Sequence, residues 1–168
     1  MIANHGQVKK YVYKVLGVNS RLDTVQVAKL DVKLKHLDEY CQARQEVAAY
    51  YDDAFRSISP IQTPGRSPFC THVFHQYTLV VPPAVRDDLK DYLQGKGIPS
   101  MIYYPIPLHH QEVFRSISRC AEDLAVSERL CASVISLPIH TEMTSEVQDE
   151  IIQGVAEFLK IKYELLCA

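Results

Sequence analysis

Residues 17–21 (GVNSR) are the first stretch whose side chains could do chemistry. Asn19 and Ser20 can donate hydrogen bonds, and Arg21 carries a fixed positive charge. They directly precede a predicted helix, whose N-terminus carries about half a positive charge and unsatisfied N–H groups. This combination predicts a phosphate site. The alternative is that Asn19 and Ser20 only form the turn and cap the helix.

Residues 103–111 (YYPIPLHHQ) form a second candidate. Two phenols, two imidazoles and an amide follow the end of a predicted strand, and two prolines stiffen the backbone between them. A stiff backbone lowers the entropy lost when polar side chains hold a ligand. The segment therefore predicts a ligand-binding loop. The alternative is a buried aromatic strand end followed by surface histidines.

The histidine pairs predict no metal site. His72 and His75 are three residues apart on a predicted strand, so their side chains should point to opposite faces. His109 and His110 are adjacent, and we expect the same difficulty for them. The sequence also contains no nucleophile elbow, no phosphate-binding loop of the Walker type and no dinucleotide fingerprint. We assign no catalytic residue.

The elements that position these residues begin with a long helix. Asp23 is a good N-cap, with Gln26 three residues later. Apolar residues then recur at spacings of three and four, which predicts one apolar face as far as about Phe55. A helix of this length extends roughly 45 Å. We expect its apolar stripe from Leu30 to Tyr51 to be exposed in this chain and to favour self-association.

A proline-rich stretch at 57–68 predicts a linker, followed by alternating strands and helices. The domain prediction is 1–56 as the tail of a larger domain with the long helix, 57–68 as linker and 69–168 as a small α/β domain. The expected strands are 72–81, 100–104 and 134–139, and the expected helices are 84–94, 121–133 and 144–163. This order suits a small sheet covered by helices on one face.

The composition narrows the class of protein and the partners to be expected. The chain has 168 residues, with 18 basic and 20 acidic side chains that are mixed along the sequence, so no basic face for nucleic acid is expected. Five scattered cysteines fit no zinc pattern and indicate reduced thiols. With neither an apolar leader nor a membrane-length apolar stretch, the sequence predicts a cytoplasmic protein that contacts no membrane.

Read in order, the segments resemble DegT/DnrJ-type aminotransferases, which use pyridoxal phosphate to transfer an amino group to nucleotide-linked keto-sugars. The resemblance covers nearly the whole chain. It is carried by Asn4-His5-Gly6, 17–23, Gln26, Arg44, Tyr51, His75-Gln76-Tyr77, Arg86, Leu89, Leu93, Gly97-Ile98-Pro99, Tyr103-Tyr104-Pro105, Pro107-Leu108-His109, Leu137-Pro138 and Thr144. It implies the small C-terminal domain of a fold-type-I aminotransferase, with a mostly antiparallel sheet.

The resemblance also implies what this chain does not contain. In this family the lysine that holds the cofactor covalently lies upstream of the segment matching Asn4 to Gly6, and no lysine here matches it. Without that amine there is neither a nucleophile nor a base for the proton transfers. The chain is thus interpreted as roughly the C-terminal half of a longer parent and is predicted to be inactive alone.

The remaining implications concern binding. The asparagine matching Asn19, together with Arg21, is expected to contact the cofactor phosphate of a neighbouring subunit. Tyr103, Tyr104, His109 and His5 are expected to face the nucleotide-sugar substrate. The implied partners are an N-terminal large domain and a second copy of the chain. Alternatives are a non-catalytic dimerisation or regulatory module, a fragment of a related sugar dehydratase, and a stand-alone carbohydrate-binding domain.

Overall fold

The computed structural model describes residues 2–20, 22–114, 119 and 123–164. They fall into two compact units, Met1–Glu39 and Tyr40–Ala168. The second unit includes residues 57–68, which the sequence predicts as a linker. Within the described residues, no helix has the length and apolar character needed to cross a bilayer.

The first unit opens with a short antiparallel hairpin that the sequence did not predict, β1 (Gln7–Lys9) and β2 (Val12–Tyr13). Two glycines of this unit are required by close backbone contact. A Cβ on Gly6 would lie 1.7 Å from the carbonyl oxygen of Val15, and one on Gly17 would lie 2.1 Å from the amide nitrogen of Gly6. Any larger residue at either position would displace the backbone.

The predicted long helix is present as two helices, α1 (Thr24–Leu34) and α2 (Leu37–Phe55). The interruption at Lys35 and His36 involves neither proline nor glycine, so the apolar periodicity continues across it. The His36 imidazole lies 2.9 Å from the carboxylate of Glu39 in the first turn of α2. Apart from that first turn, α2 belongs to the second unit.

The second unit contains β3 (Tyr77–Val80), α3 (Pro83–Gly95), α4 (Ala125–Ser133), β4 (Val134–Leu137) and α5 (Ser145–Glu164). Two short 3-10 turns, Leu108–His110 and Glu112–Phe114, lie between α3 and α4. Strands β3 and β4 pair antiparallel, with Tyr77 opposite Leu137 and Val80 opposite Val134. Single antiparallel bridges add Gln62 beside β3 and Met101 beside β4.

The first two predicted strands, 72–81 and 100–104, were too long. Only Met101 of the predicted strand 100–104 pairs with the sheet. The predicted strand 72–81 is reduced to β3, because Phe74 has a positive φ of 45° and the carbonyls of Phe74 and His75 accept hydrogen bonds from Arg44 instead of a neighbouring strand.

The core lies on one face of this sheet. Tyr77 and Leu79 alternate inward and join the buried side chains of α2, α3 and α5. On the opposite face, the hydroxyls of Thr78 and Ser136 lie 2.8 Å apart. The predicted fold class, a small antiparallel sheet with helices on one face, is confirmed.

The exposed stripe expected from Leu30 to Tyr51 was only half right. Helix α1 has no buried residue, and Leu30, Leu34 and Leu37 are all exposed. Tyr51, by contrast, is fully buried together with Phe55. The change occurs along α2, whose buried residues all lie in its second half.

Candidate functional site

An open cavity of about 220 Å³ lies at the ends of the paired strands of the second unit. Its walls come from positions 75–76 before β3, 99–103 after α3 and 136–139 at the end of β4. The antiparallel pairing of Tyr77 with Leu137 brings the first and third of these segments together. The Met101–Ser136 bridge adds the second. The cavity therefore exists because three short segments meet at one sheet end.

Side chains of α2 form hydrogen bonds to two of these walls. The Arg44 guanidinium donates hydrogen bonds to the carbonyls of Phe74 (3.2 Å), His75 (3.4 Å) and Ile139 (3.3 Å). About two turns later, the Tyr51 hydroxyl donates to the carbonyl of Pro138 at 3.0 Å. Burial raises the pKa of Tyr51, so its hydroxyl stays protonated and remains a donor.

The cavity offers few polar groups, and one of them is free. The buried Ser100 hydroxyl has no hydrogen-bond partner among the described residues. Ser136 already shares a hydrogen bond with Thr78. His75 and Gln76 supply an imidazole and an amide. A concave, mostly apolar wall with a few polar groups is typical of a small-ligand subsite.

Of the predicted substrate-binding residues in this unit, only Tyr103 lines the cavity. Tyr104 is exposed, with its ring centroid 6.0 Å from that of Tyr103. His109 lies on the next 3-10 turn, where its Nε2 is 2.9 Å from a carboxylate oxygen of Glu128. The structure therefore separates the predicted loop into a cavity wall and a histidine held by α4.

The other predicted residues lie in the first unit. His5 and Asn19 occupy two segments that pair antiparallel, since Asn4 bridges Asn19 and the His5 amide donates to the Val18 carbonyl at 3.0 Å. His5 has a positive φ of 58°. Arg21 lies outside the described residues.

The N-terminus of helix α1 gives the predicted phosphate site at Asn19 no direct support. Helix α1 begins five residues later, and the Asp23 carboxylate already accepts hydrogen bonds from the amides of Val25 (2.9 Å) and Gln26 (3.4 Å). A carboxylate at this position satisfies the donors that a phosphate would use. The expected cap at Asp23 is confirmed. A phosphate role for Asn19 stays a prediction based on the family resemblance.

A second cavity of about 260 Å³ lies between Gln45 of α2 and the 65–72 segment. Arg66, on its wall, donates to Asp52 and stacks over the Phe74 ring at 4.0 Å. Asp52 also accepts a hydrogen bond from the Tyr77 hydroxyl at 2.8 Å. Burial and this hydrogen bond raise the pKa of Tyr77. The wall is thus tied to the core through Asp52.

Sequence reasoning gave no role to Asp52, Arg66 or Glu128. Arg44 appeared only as part of a family resemblance. Each acts over a long sequence separation, as with the 95 residues between Arg44 and Ile139. No local pattern carries that information.

Comparison with known proteins gives a consistent family. Residues 1–156 match the DegT/DnrJ/EryC1/StrS aminotransferase family. The chain belongs to that family. Its members are pyridoxal-phosphate-dependent sugar aminotransferases, and the expected resemblance is confirmed.

Individual relatives agree. A pleiotropic regulatory protein of Geobacillus stearothermophilus is 39% identical over 95% of this chain and 43% of its own length. A dTDP-3-amino-3,6-dideoxy-alpha-D-galactopyranose transaminase of Aneurinibacillus thermoaerophilus is 35% identical over 94% and 42%. The crystal structure of a family aminotransferase from Brucella abortus aligns with a TM-score of 0.84 at 34% identity, over 94% and 41%. The chain thus spans about two fifths of the relatives it matches.

The lysines of this chain do not fit the role of covalent cofactor anchor. All ten lie in the described residues, and none is buried. Neither of the two cavities described above has a lysine in its wall. The first unit is basic, with seven basic and four acidic side chains and a net charge of +3.

Proposed function

We propose that these 168 residues form the C-terminal part of a pyridoxal-phosphate-dependent aminotransferase acting on nucleotide-linked keto-sugars. The family match over residues 1–156 is the observation that carries the proposal. A relative at 35% identity bears the name of a dTDP-sugar transaminase, which supports this substrate class. The electron-sink chemistry of the reaction is supplied by bound pyridoxal phosphate. This chain contributes binding and positioning.

In this proposal, the cavity beside Tyr103 takes part of the sugar nucleotide. Its apolar walls exclude water, and Ser100, His75 and Gln76 offer hydrogen bonds to hydroxyl groups. His109 contacts the substrate from the adjoining turn, with its imidazole oriented by Glu128. A histidine oriented by a carboxylate keeps a defined ring position, which lowers the cost of aligning it with a ligand.

In the first unit, Asn19 and His5 contribute to the phosphate and substrate contacts, and Arg21 is assigned with them. The unit's charge of +3 favours an anionic ligand, whereas the second unit carries 11 basic and 16 acidic side chains. The site they complete includes a second subunit, because the family's cofactor phosphate is contacted across a dimer. We therefore propose that the active protein is a homodimer.

The covalent anchor comes from outside these residues, so the chain alone catalyses no amino transfer. Its partner is the remaining part of the protein, corresponding to the portion of the relatives that this chain does not span. The exposed apolar residues of α1, among them Val25, Leu30 and Leu34, are available to pack against it. Sucrose-gradient or sedimentation analysis of the chain alone should show self-association through the same residues.

A chimera tests the proposal. The matching C-terminal part of the Aneurinibacillus relative is replaced by this chain, and amino transfer is measured with that enzyme's own dTDP-sugar. We expect measurable transaminase activity that falls by about 10²-fold with His109→Gln, since losing one positioned substrate contact costs roughly this much. The matched control is His140→Gln, which changes an exposed loop histidine and should leave the rate unchanged.

A regulatory module is the second candidate, favoured by the name of the Geobacillus relative at 39% identity. The same chimera separates the two. A folded, dimeric chimera with no transaminase activity would support the regulatory role and contradict the enzymatic one. An active chimera with unchanged activity in His109→Gln would retain the enzyme class but remove His109 from the site.

A further inference from the structure

His109, His110 and Glu128 converge on one point of the second unit. The Nε2 atoms of His109 and His110 lie 2.9 and 3.3 Å from the same carboxylate oxygen of Glu128. The two ring centroids are 4.2 Å apart. All three potential ligand atoms lie within 4.8 Å of one another. Adjacency in the sequence argued against a shared ligand, but the 3-10 turn brings both rings to one oxygen.

We propose that His109, His110 and Glu128 bind one Zn²⁺ ion through the two Nε2 atoms and the Glu128 carboxylate. Zinc–nitrogen and zinc–oxygen bonds are about 2.0–2.2 Å long, so the ligand atoms of a tetrahedral site lie roughly 3.4 Å apart. The His110–Glu128 distance already matches this, and the His109–Glu128 distance must lengthen by about half an ångström. The exposed Glu128 side chain can withdraw by this amount.

The ligand types select the ion. Two imidazoles and one carboxylate are a common set for Zn²⁺ with an open fourth position, whereas Mg²⁺ and Ca²⁺ prefer oxygen ligands. The carboxylate neutralises part of the ion's charge. The second unit as a whole, with 11 basic and 16 acidic side chains, favours a cation.

The local backbone limits the entropy cost of forming the site. The turn Leu108–His110 follows Pro107, whose ring fixes its φ, and the Gln111 amide closes the turn by donating to the Leu108 carbonyl at 3.1 Å. His109 is mostly buried, with 15% of its side chain exposed. Glu128 stands in the first turn of α4. All three ligands therefore stand on hydrogen-bonded turn or helix backbone before an ion arrives.

The inference does not depend on the proposed aminotransferase role, because its test measures metal binding alone. Zn²⁺ is titrated into the 168-residue chain in competition with a chromophoric chelator. The background carries Cys70→Ser, because that exposed thiol lies beside His72 in the second cavity and could bind zinc nonspecifically. We expect one equivalent to bind.

His110→Ala and Glu128→Gln should each weaken binding by at least about tenfold, since loss of a direct ligand costs no less than loss of a group that orients one. His140→Ala is the control and should bind as the parent does. Co²⁺ substitution should give the strong visible bands of a four-coordinate site. Far-ultraviolet circular dichroism checks that the surface variants keep their helices.

Unchanged affinity in both His110→Ala and Glu128→Gln would overturn the proposal, as would the absence of a stoichiometric equivalent in the parent. Neither variant alters His109. If the zinc titration fails, the chimera test of the proposed function is therefore unaffected. If the chimera test fails, the zinc proposal is likewise unaffected.

Discussion

The two units differ in how they use their apolar side chains. In the second unit, α5 buries Ile151, Val155 and Phe158 in a core shared with β3 and α3. In the first, α1 has an apolar periodicity of similar strength but buries nothing. Periodicity therefore predicts which side chains of a helix share a face, and says nothing about what covers that face.

The two units also differ in their net charge. The first unit carries a net +3 and the second has 16 acidic against 11 basic side chains, although the whole chain is nearly neutral at −2. A chain-wide balance thus hides a basic unit and an acidic one. The proposals above rest in part on this difference, with a phosphorylated ligand at the first unit and a cation at the second.

The largest expected effect is on the cores. Phe55→Ala removes a fully buried ring of the second unit and should lower the free energy of unfolding by about 3–5 kcal/mol. Leu30→Ala, at an exposed position of α1, should change it by less than about 0.5 kcal/mol. Urea denaturation followed by circular dichroism measures both. Equal losses would show that the two units fold as one core and would end the comparison.

Two adjacent carboxylates give a sharper test. Asp52 is 18% exposed and bonds Arg66 and Tyr77, whereas Asp53 is 72% exposed and pairs only with Arg56 among the described residues. Asp52→Asn should lower the free energy of unfolding by about 1–3 kcal/mol, because it weakens the hydrogen bonds with Arg66 and Tyr77, the second of which is partly buried. Asp53→Asn should cost less than about 0.5 kcal/mol. The reverse order, measured by the same denaturation, would contradict the described network.

How far the sequence predicted the fold can be argued from particular elements. Helices α3 and α5 were expected close to their observed bounds, because Gly95, Gly97 and a clear apolar period define them. The strands were expected too long, because the Phe74 and His75 carbonyls bond Arg44 some thirty residues away. The cap at Asp23 was local and therefore predictable.

The site was less accessible to prediction. Tyr103, which was predicted to bind substrate, lines the cavity, and its contact with substrate stays a prediction. The meeting of His109 and His110 with Glu128 could not be expected, because 19 residues separate His109 from that carboxylate. The cavity walls depend on strand pairing, which short strands specify poorly in sequence.

A smaller effect concerns the first unit alone. Asp23→Ala removes the cap of α1 and should destabilise that helix by about 1 kcal/mol. Backbone chemical shifts of residues 24–34 should move toward coil values, while those of α5 stay unchanged. Asp31→Ala, inside the same helix, is the control and should not shift them toward coil. A simultaneous change in α5 would show that the units are coupled.

The smallest expected effect is the pH dependence of one ion pair in the second unit. A hydrogen bond from Lys96 lowers the pKa of Glu157, and the same bond raises the pKa of Lys96. The stabilisation is therefore fully present at pH values between the unfolded-state pKa values of the two groups. It is lost in acid as the pH falls through the folded-state pKa of Glu157. It is lost in alkali as the pH rises through the folded-state pKa of Lys96.

Glu157→Gln should flatten the acid side of the stability profile slightly, because the pair is exposed and screened by salt. Glu150→Gln on the same helix controls for net charge. Urea midpoints measured from neutral to acid pH provide the comparison. An unchanged acid slope in Glu157→Gln would show that the pair contributes nothing.

The central claim is that these residues supply contacts for an aminotransferase site but no covalent anchor. The most direct measurement incubates the folded 168-residue chain with pyridoxal phosphate, reduces it with borohydride and locates the label by peptide mass spectrometry. The account predicts only scattered, substoichiometric labelling of the ten exposed or half-exposed lysines. One equivalent of label on a single defined lysine would contradict it.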